Sequence, residues 1–445
     1  ADTAWIHQKI TEARAAILQS IPPPLENSPK CPRCSLAPLC LPDESRLLAR
    51  LAAEENPLPS QLELDILPDG PASLLHAAPD TWALIPEIRF PQIRPDQPVR
   101  RLIAPNDETR ALYLNSPKFY VAQKGETLVV KNEGQIIDTF RLIDLHHVAL
   151  FGAVQMSTSA IQACCKHDIP VTYFSMGGFF YGMTRGNALP NVTTRIAQFA
   201  HAADPARALF HARLFVHGKI RNQRTFLQRN HIEAPRHALK ALKWLAASAL
   251  TANDPVTLLG IEGTAARVYF ENFSGMLRSE KHDDPEPRFA FFFNERNRRP
   301  PRDPVNAVLS LLYSLLAKDC TLACQACGLD PFVGFLHQPR HGKPALALDL
   351  MEEFRPIVAD SAALTLFNNR MLDQNSFVQA GRAVGLQPAA RKIVFKVYEK
   401  RLADAITHPI FGYKVSYRRA IELQARLLGK VLTDEIEQYL PFLTR

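Results

Sequence analysis

His337 stands ahead of Asp349, Glu352 and Glu353 in the stretch Gly-Phe-Leu-His-Gln-Pro-Arg-His-Gly-Lys-Pro-Ala-Leu-Ala-Leu-Asp-Leu-Met-Glu-Glu-Phe-Arg-Pro. The run from Ala345 to Phe354 is made almost wholly of strong helix formers and lies between Pro344 and Pro356, so a short helix is expected there, with Asp349, Glu352 and Glu353 along one edge. Carboxylates three or four residues apart share a helix face. Like charges packed that closely raise each other's pKa unless water, a basic partner or a cation offsets them. His337, across a Gly/Pro loop, adds a nitrogen, and the set reads as a mixed N/O site for a divalent metal. The same spacing also suits a solvated acidic face paired with Lys and Arg, beside a structural histidine.

Earlier in the chain than His337 lies Glu262, in Gly-Ile-Glu-Gly-Thr-Ala-Ala-Arg-Val-Tyr-Phe, an acid in an apolar, small-residue helix. A buried or half-buried glutamate needs a partner. That partner is either a metal shared with His337 and Glu352, or a salt bridge to Arg267 or a more distant arginine. Two basic clusters accompany the acids. Lys219, Arg221, Arg224 and Arg229 lie around one helix, and their alternatives are a solvated surface or a phosphate-tracking helix. Arg296, Arg298, Arg299 and Arg302 fall in a proline-stiffened loop that opens a helix at Asp303-Pro304, where Asp caps and Pro suits the first turn. Guanidinium forks at such a place are good phosphate clamps.

The eight cysteines divide into three groups. Cys164 with Cys165, and Cys320 with Cys324 and Cys327, have apolar neighbours and read as buried thiols. Cys31, Cys34 and Cys40 lie in a Pro-bounded loop, an arrangement that suits zinc or an iron–sulfur cluster in a reducing compartment, although a tetrahedral thiolate site wants four ligands.

The elements that must position these residues follow from pattern. The first twenty residues form an amphipathic helix with Trp5, Ile6, Ile10, Ile17 and Leu18 as its apolar face, ended by Ile21-Pro-Pro-Pro. Residues 1–44 are a cysteine-bearing segment and 45–108 a Pro- and Asp-rich linker. In the 109–190 β domain, runs at 118–123, 127–132 and 135–142 make a meander of hairpins, followed by a helix at 157–165 and strands at 171–175 and 179–184. The 191–445 portion is helical, with periodic stretches at 205–229, 236–252, 255–273, 303–327, 345–354, 358–371, 388–406 and 416–439. The fold class is therefore α+β, a small β domain followed by a large all-α catalytic domain. The 445 residues are 47% hydrophobic and carry 52 basic against 44 acidic side chains, a net +8 that favours a polyanionic partner where the charge is concentrated. No apolar run approaches 20 residues, so no membrane span is expected. The chain opens Ala-Asp-Thr-Ala-Trp without Met or a basic-then-apolar leader, which reads as a cytoplasmic protein whose start is internal to a longer one.

Three long motifs, in order, carry a resemblance. The Glu262 stretch, Asn-Arg-Arg-Pro-Pro-Arg-Asp-Pro-Val-Asn-Ala-Val-Leu-Ser-Leu-Leu-Tyr, and Gly-Phe-Leu-His with Leu-Asp-Leu-Met-Glu-Glu-Phe-Arg-Pro resemble the CRISPR-associated integrase family called Cas-one, over about residues 110 to 445, including the Lys-Ile-Arg-Asn-Gln-Arg helix. The resemblance implies a metal-dependent DNA endonuclease and integrase of spacer acquisition. It implies Glu262, His337 and Glu352 as ligands to Mg2+ or Mn2+, and Asp349 as a further active-site acid. A 3′-hydroxyl of foreign DNA would be joined to the CRISPR repeat by transesterification. Lys219, Arg221, Arg224, Arg296, Arg298, Arg299 and Arg302 are the expected DNA contacts. A homodimer and a small Cas-two partner are implied as well. The first forty residues resemble the C-terminal tail of the Cas-four family, RecB-like exonucleases with a [4Fe–4S] cluster, which implies a fusion of the two families. Cys31, Cys34 and Cys40 would be three of the cluster ligands, and exonuclease activity is not expected of the residues present. The contrasting expectations are a non-catalytic DNA-binding scaffold with structural acids, and a zinc or iron–sulfur regulator centred on the cysteines.

Overall fold

Glu133 and Gly134 both adopt positive φ, 51° and 85°, and such a turn matches the right-handed twist of the strands it joins. Those strands are β3 (Thr127–Asn132) and β4 (Gln135–Arg141), and β2 (Phe119–Lys124) pairs antiparallel with β3 on its other side. The computed structural model describes residues 3–17, 24–34, 36–53, 99–100, 109–186, 192–278, 289, 291, 293–297 and 300–444. Arg298, Arg299 and most of the 45–108 stretch lie outside the described residues.

The remaining strands are β1 (Arg110–Leu114), β5 (Leu145–Phe151), β6 (Gln155–Met156), β7 (Val171–Phe174) and β8 (Phe180–Thr184). Among the described residues, the strands of this region form two four-stranded sheets, ordered β1-β5-β7-β8 and β4-β3-β2-β6. The meander is present, but the first sheet is mixed: β1, β5 and β7 run parallel and only β7–β8 is antiparallel. Strand β5 explains why pattern reading passed over it. Val148 and Leu150 pack into the core between the sheets and α4 (Thr158–Lys166), while Ala149 and Phe151 pack into the helical core, so both faces are buried and no polar alternation remains.

The helical region contains α5 (Val192–Ala203), α6 (Pro205–Asn230), α7 (Arg236–Thr251), α8 (Pro255–Glu271), α9 (Pro304–Ala326), α10 (Ala345–Phe354), α11 (Ser361–Asn368), α12 (Pro388–Ala403) and α13 (Tyr417–Leu432). Most begin where Asp, Ser or Pro says they should. Asp204, Asp254 and Asp303 each accept backbone N–H bonds at the head of a helix whose first residue is proline. The expected helix at 358–371 instead starts as a π-helical turn, Arg355–Asp360, which runs on from α10. Small hairpins, β9 (Phe377–Ala380) with β10 (Ala383–Leu386) and β11 (Ala405–Thr407) with β12 (Lys414–Ser416), interrupt the helices, so the region is not purely helical. Helix α9 is apolar and long enough to cross a membrane by composition, but it is the core helix, with Val308, Leu312, Leu315 and Leu316 fully buried. It carries the first sheet: a Cβ on Gly178 would come 2.6 Å from Leu311.

Ahead of the sheets, α1 (Thr3–Ile17) leaves Trp5, Ile6 and Ile10 exposed, so this apolar face is not packed on the described residues. A 3-10 turn at Cys31–Arg33, α2 (Ala37–Cys40) and α3 (Pro42–Ala53) follow. Leu41, Leu47 and Leu48 join the helical core, and the buried Glu44 accepts a hydrogen bond from the Tyr413 hydroxyl at 3.0 Å. Asp43 pairs with Arg100 at 2.7 Å. The cysteine segment is thus seated on the helical region.

Candidate metal centre

Helix α10 brings Asp349 and Glu352 to one face, and both are buried. Glu353 does not join them: its side chain leaves α10 about 100° further round than Glu352 and meets Tyr439, Gln424 and the Phe442 amide on the other flank, the rear of the site. The solvated acidic face is therefore corrected to a buried one. Asp349 accepts backbone N–H bonds from Phe335 (2.6 Å), Leu336 (3.0 Å) and His337 (2.9 Å). Its Oδ1 also lies 2.7 Å from His337 Nδ1. Asp349 thus fastens the loop that bears His337 and fixes that ring, leaving Nε2 turned toward Glu352 Oε1 at 4.0 Å. Gly334 is required here, because a Cβ would come 2.7 Å from the Asp349 carboxylate.

Glu262 reaches the same place from α8. Among the described residues its partner is not Arg267 but Lys219 of α6, whose ammonium pairs with Glu262 Oε1 and lies 2.9 Å from Glu352 Oε2. Lys219 is 1% exposed. It belongs to the centre and not to an outward phosphate-tracking face, because α6 is a core helix whose middle is enclosed by α7, α8 and α10. Glu352 Oε2 is buried and lies against the Lys219 ammonium. The other oxygen accepts from Arg355 Nη2 at 2.6 Å. Burial alone would raise the Glu352 carboxyl, but Arg355, Lys219 and His337 outweigh it and hold it at about 2. His337 is shifted up: burial opposes its charge, and the hydrogen bond and charge of Asp349, with Glu352, overcome that.

Arg355 links this centre to the arginine loop. Its guanidinium lies 5.0 Å from the centroid of the Tyr313 ring, and Arg296 lies 5.2 Å from the same centroid. Tyr313 and Tyr269 donate to Asp360 at 2.6 and 2.7 Å, and burial pushes that carboxyl up to about 6 despite both bonds. Arg296 donates to Asn306 Oδ1 at 2.6 Å and Ser310 Oγ at 3.1 Å, so it shapes the loop from within. Arg302 is exposed; Arg221 and Arg224 are half-buried on α6. Pattern reading missed Arg355, though its position three residues after Glu352 on a helical turn was the available signal.

As they stand, no three His, Cys, Asp or Glu side chains among the described residues converge closely enough to hold an ion unaided. The donors nevertheless fit one chemically. Glu262 and Glu352 meet at the Lys219 ammonium and His337 Nε2 faces Glu352 at 4.0 Å, so two carboxylates of the kind that suit Mg2+ or Mn2+ lie beside an imidazole that can add a nitrogen once deprotonated. At the cysteine segment, Cys31 is buried, Cys34 exposed and Cys40 half-buried. Burial raises the Cys40 thiol. Three thiols do not complete a tetrahedral cluster site. Cys164, Cys320 and Cys324 are buried, as expected for structural thiols, while Cys165 and Cys327 are half-buried.

The family described as CRISPR associated protein Cas1 matches residues 112–400. A "CRISPR-associated exonuclease Cas4/endonuclease Cas1 fusion" of Geobacter sulfurreducens is 41% identical over 438 residues, covering 97% of this chain and 70% of that protein. Among solved structures, a Cas1 protein from Thermotoga maritima shares the fold at 23% identity, with a TM-score of 0.63, covering 73% of this chain and 97% of that one. A structure titled "Cas6-RT-Cas1--Cas2 complex" matches at 25% identity and a TM-score of 0.63, covering 75% of this chain and 36% of the other.

Proposed function

The chain belongs to the Cas1 family, and on that premise we propose that the centre at Lys219, Glu262, His337 and Glu352 cuts and joins DNA in spacer acquisition, transferring a 3′-hydroxyl end of foreign DNA into the CRISPR repeat. The observation that carries this reading is that Glu262 and Glu352, from separated stretches of sequence, meet at the Lys219 ammonium while the Asp349-held His337 turns its Nε2 to 4.0 Å from Glu352. Glu262, Glu352 and His337 Nε2 would hold Mg2+ or Mn2+, which when bound supplies Lewis-acid stabilisation of charge developing on the phosphodiester.

The chain's own residues prepare that chemistry. By accepting a hydrogen bond from Nδ1–H, Asp349 leaves Nε2 as the metal-facing lone pair of the neutral His337 ring, the usual second-layer arrangement. Arg355 and Lys219 keep Glu352 ionised in a buried place where it would otherwise protonate. Lys219 also offers a positive charge for a phosphate oxygen once the acids are otherwise balanced. Arg302, Arg221 and Arg224 are proposed to bind the DNA backbone, with Arg296 supporting their loop. By the same family membership we propose a homodimer that works with a Cas2-type partner, and, in a longer fusion, Cys31, Cys34 and Cys40 as three ligands of a [4Fe–4S] cluster beside a Cas4-type exonuclease.

The test is joining of a labelled DNA end to a repeat duplex by Glu262→Ala, His337→Ala and Glu352→Ala variants. Each should lose about 100-fold or more of the rate while DNA affinity is largely kept. Undiminished joining in all three would leave a DNA-binding scaffold with structural acids as the better reading.

A further inference from the structure

The last residues of the chain are threaded behind the proposed centre, between the helices that build it. Asn222, on α6 just past Lys219, is fully buried. Its Nδ2 donates to the carbonyls of Glu353 (2.8 Å) and Phe442 (2.7 Å), and its Oδ1 accepts from Thr444 N (2.9 Å) and Thr444 Oγ1 (3.1 Å). Every hydrogen-bonding position of the amide is used. Glu353, next to Glu352 but on the rear of α10, accepts from the Tyr439 hydroxyl (2.7 Å), Phe442 N (2.8 Å) and Gln424 Nε2 (3.2 Å). Gln424 also donates to the Leu440 carbonyl at 3.1 Å. Phe442 stacks on Phe354 with 5.2 Å between centroids.

The approach is tight at one point. A Cβ on Gly218, the residue before Lys219, would come 2.9 Å from Pro441 Cβ and 3.0 Å from Glu353 Cγ. Gly218 therefore lets α6, α10 and the terminal strap meet at van der Waals distance directly behind the Lys219–Glu352 pair. The hydrogen bonds are directional, so displacement of the strap would leave the buried Asn222 with only the Glu353 carbonyl and the buried Glu353 with only Gln424, a costly state that the helices would relieve by moving.

We propose that the strap Tyr439–Thr444 sets the spacing of α6 and α10 and so holds Lys219 against Glu352, with Asn222 and Glu353 as positioning residues for joining. The inference rests on the reading of the centre given above. Its consequence is that changes more than one side chain away from the reacting atoms should lower turnover without altering DNA capture, because sub-ångström misplacement of catalytic groups is enough to slow a reaction.

The experiment uses the full chain and reads joining per folded molecule under saturating DNA, together with DNA affinity and the melting transition. Asn222→Asp and Glu353→Ala should each lower kcat by about tenfold or more with DNA affinity within about twofold. Glu353→Gln, which keeps the side-chain shape and one acceptor oxygen, should recover most of the loss. Should Asn222→Asp fail to fold, removal of residues 443–445 takes away the Thr444 donors and leaves the Glu353 bonds, and kcat should still fall several-fold. Unchanged kcat per folded molecule in these variants overturns the proposal, even where the melting temperature drops. Glu352→Ala run alongside separates the two readings. If it joins DNA like the parent chain, the centre itself is misassigned and the strap proposal falls with it; if it is inactive while the strap variants keep their rate, only the strap proposal falls.

Discussion

Glu352 and Glu353 are consecutive, equally buried carboxylates of one helix, and their surroundings drive them in opposite directions. On the front of α10, burial of Glu352 is outweighed by Arg355, Lys219 and His337, which hold it ionised at about 2. On the rear, burial of Glu353 prevails over the Phe442, Tyr439 and Gln424 hydrogen bonds, none of which brings a charge, and pushes it up to about 7. The front therefore concentrates charge that a metal and a phosphate could use, while the rear is a neutral polar lock. Side-chain type and spacing alone do not distinguish them. What does is the direction each side chain takes and the charge of what it meets.

The sharpest way to break the contrast is to remove the front's cation. Arg355→Met leaves Glu352 buried without its closest guanidinium, and a broken buried pair costs about 3–5 kcal/mol. Urea unfolding of metal-free protein should show a loss of that order, and a loss under 1 kcal/mol would mean that water replaces Arg355.

Acid and neutral pH probe the two faces separately. For Glu352 the folded pKa of about 2 lies below the ordinary value of 4.5, so its stabilisation is present above 4.5 and is lost as pH falls toward 2. For Glu353 the folded value of about 7 lies above 4.5, so its contribution is fully present below 4.5 and is lost as pH rises toward 7. Each is worth at most about 3 kcal/mol by linkage. With chelator present, Glu353→Gln should flatten the stability profile between 4.5 and 7, and Glu352→Gln should flatten it below 4.5. Flattening in the same window by both would show that the faces are not independent. In DNA joining the pair should part again: Glu352→Gln should cost about 100-fold, and Glu353→Gln only a few-fold.

Much of this was legible beforehand, for identifiable reasons. The helices from Pro205 to Leu432 announce themselves through Asp-Pro heads and 3.6-residue periodicity, and Asp349, Glu352 and His337 do come together as their spacing suggested. Helix α5 lies in the portion read as helical but was not given as a stretch of its own; Val192, Ile196 and Phe199 recur at helical spacing, yet the stripe they form is exposed. Strand β5 lacked alternation because both its faces are covered. Lys219 looked like a surface cation because its helix carries so many basic residues, yet a core helix can bury a lysine wherever two acids meet it. Nothing local in the sequence marks Glu353 as different from Glu352, since its partners lie 71 to 89 residues further along the chain.

The arginine loop repeats the contrast on a smaller scale and gives the mildest prediction. Arg296 has its guanidinium committed to Asn306, Ser310 and the Tyr313 ring, whereas Arg302 is exposed and is tied to the loop through its backbone N–H on Asn297 Oδ1 at 2.8 Å. Only the second has a charge placed to meet phosphate in open solvent. Arg302→Ala should weaken binding of DNA several-fold and equally for different sequences, with the slope of log affinity against log salt reduced by about 1. Fluorescence anisotropy across a salt series would measure it. Arg296→Ala should instead lower the melting temperature and disturb α9 at its head, because Asn306 and Ser310 lose an internal donor. If Arg302→Ala left the salt slope unchanged while Arg296→Ala lowered it, the half-buried arginine would be the one that reaches DNA, and the loop would have to open to bind.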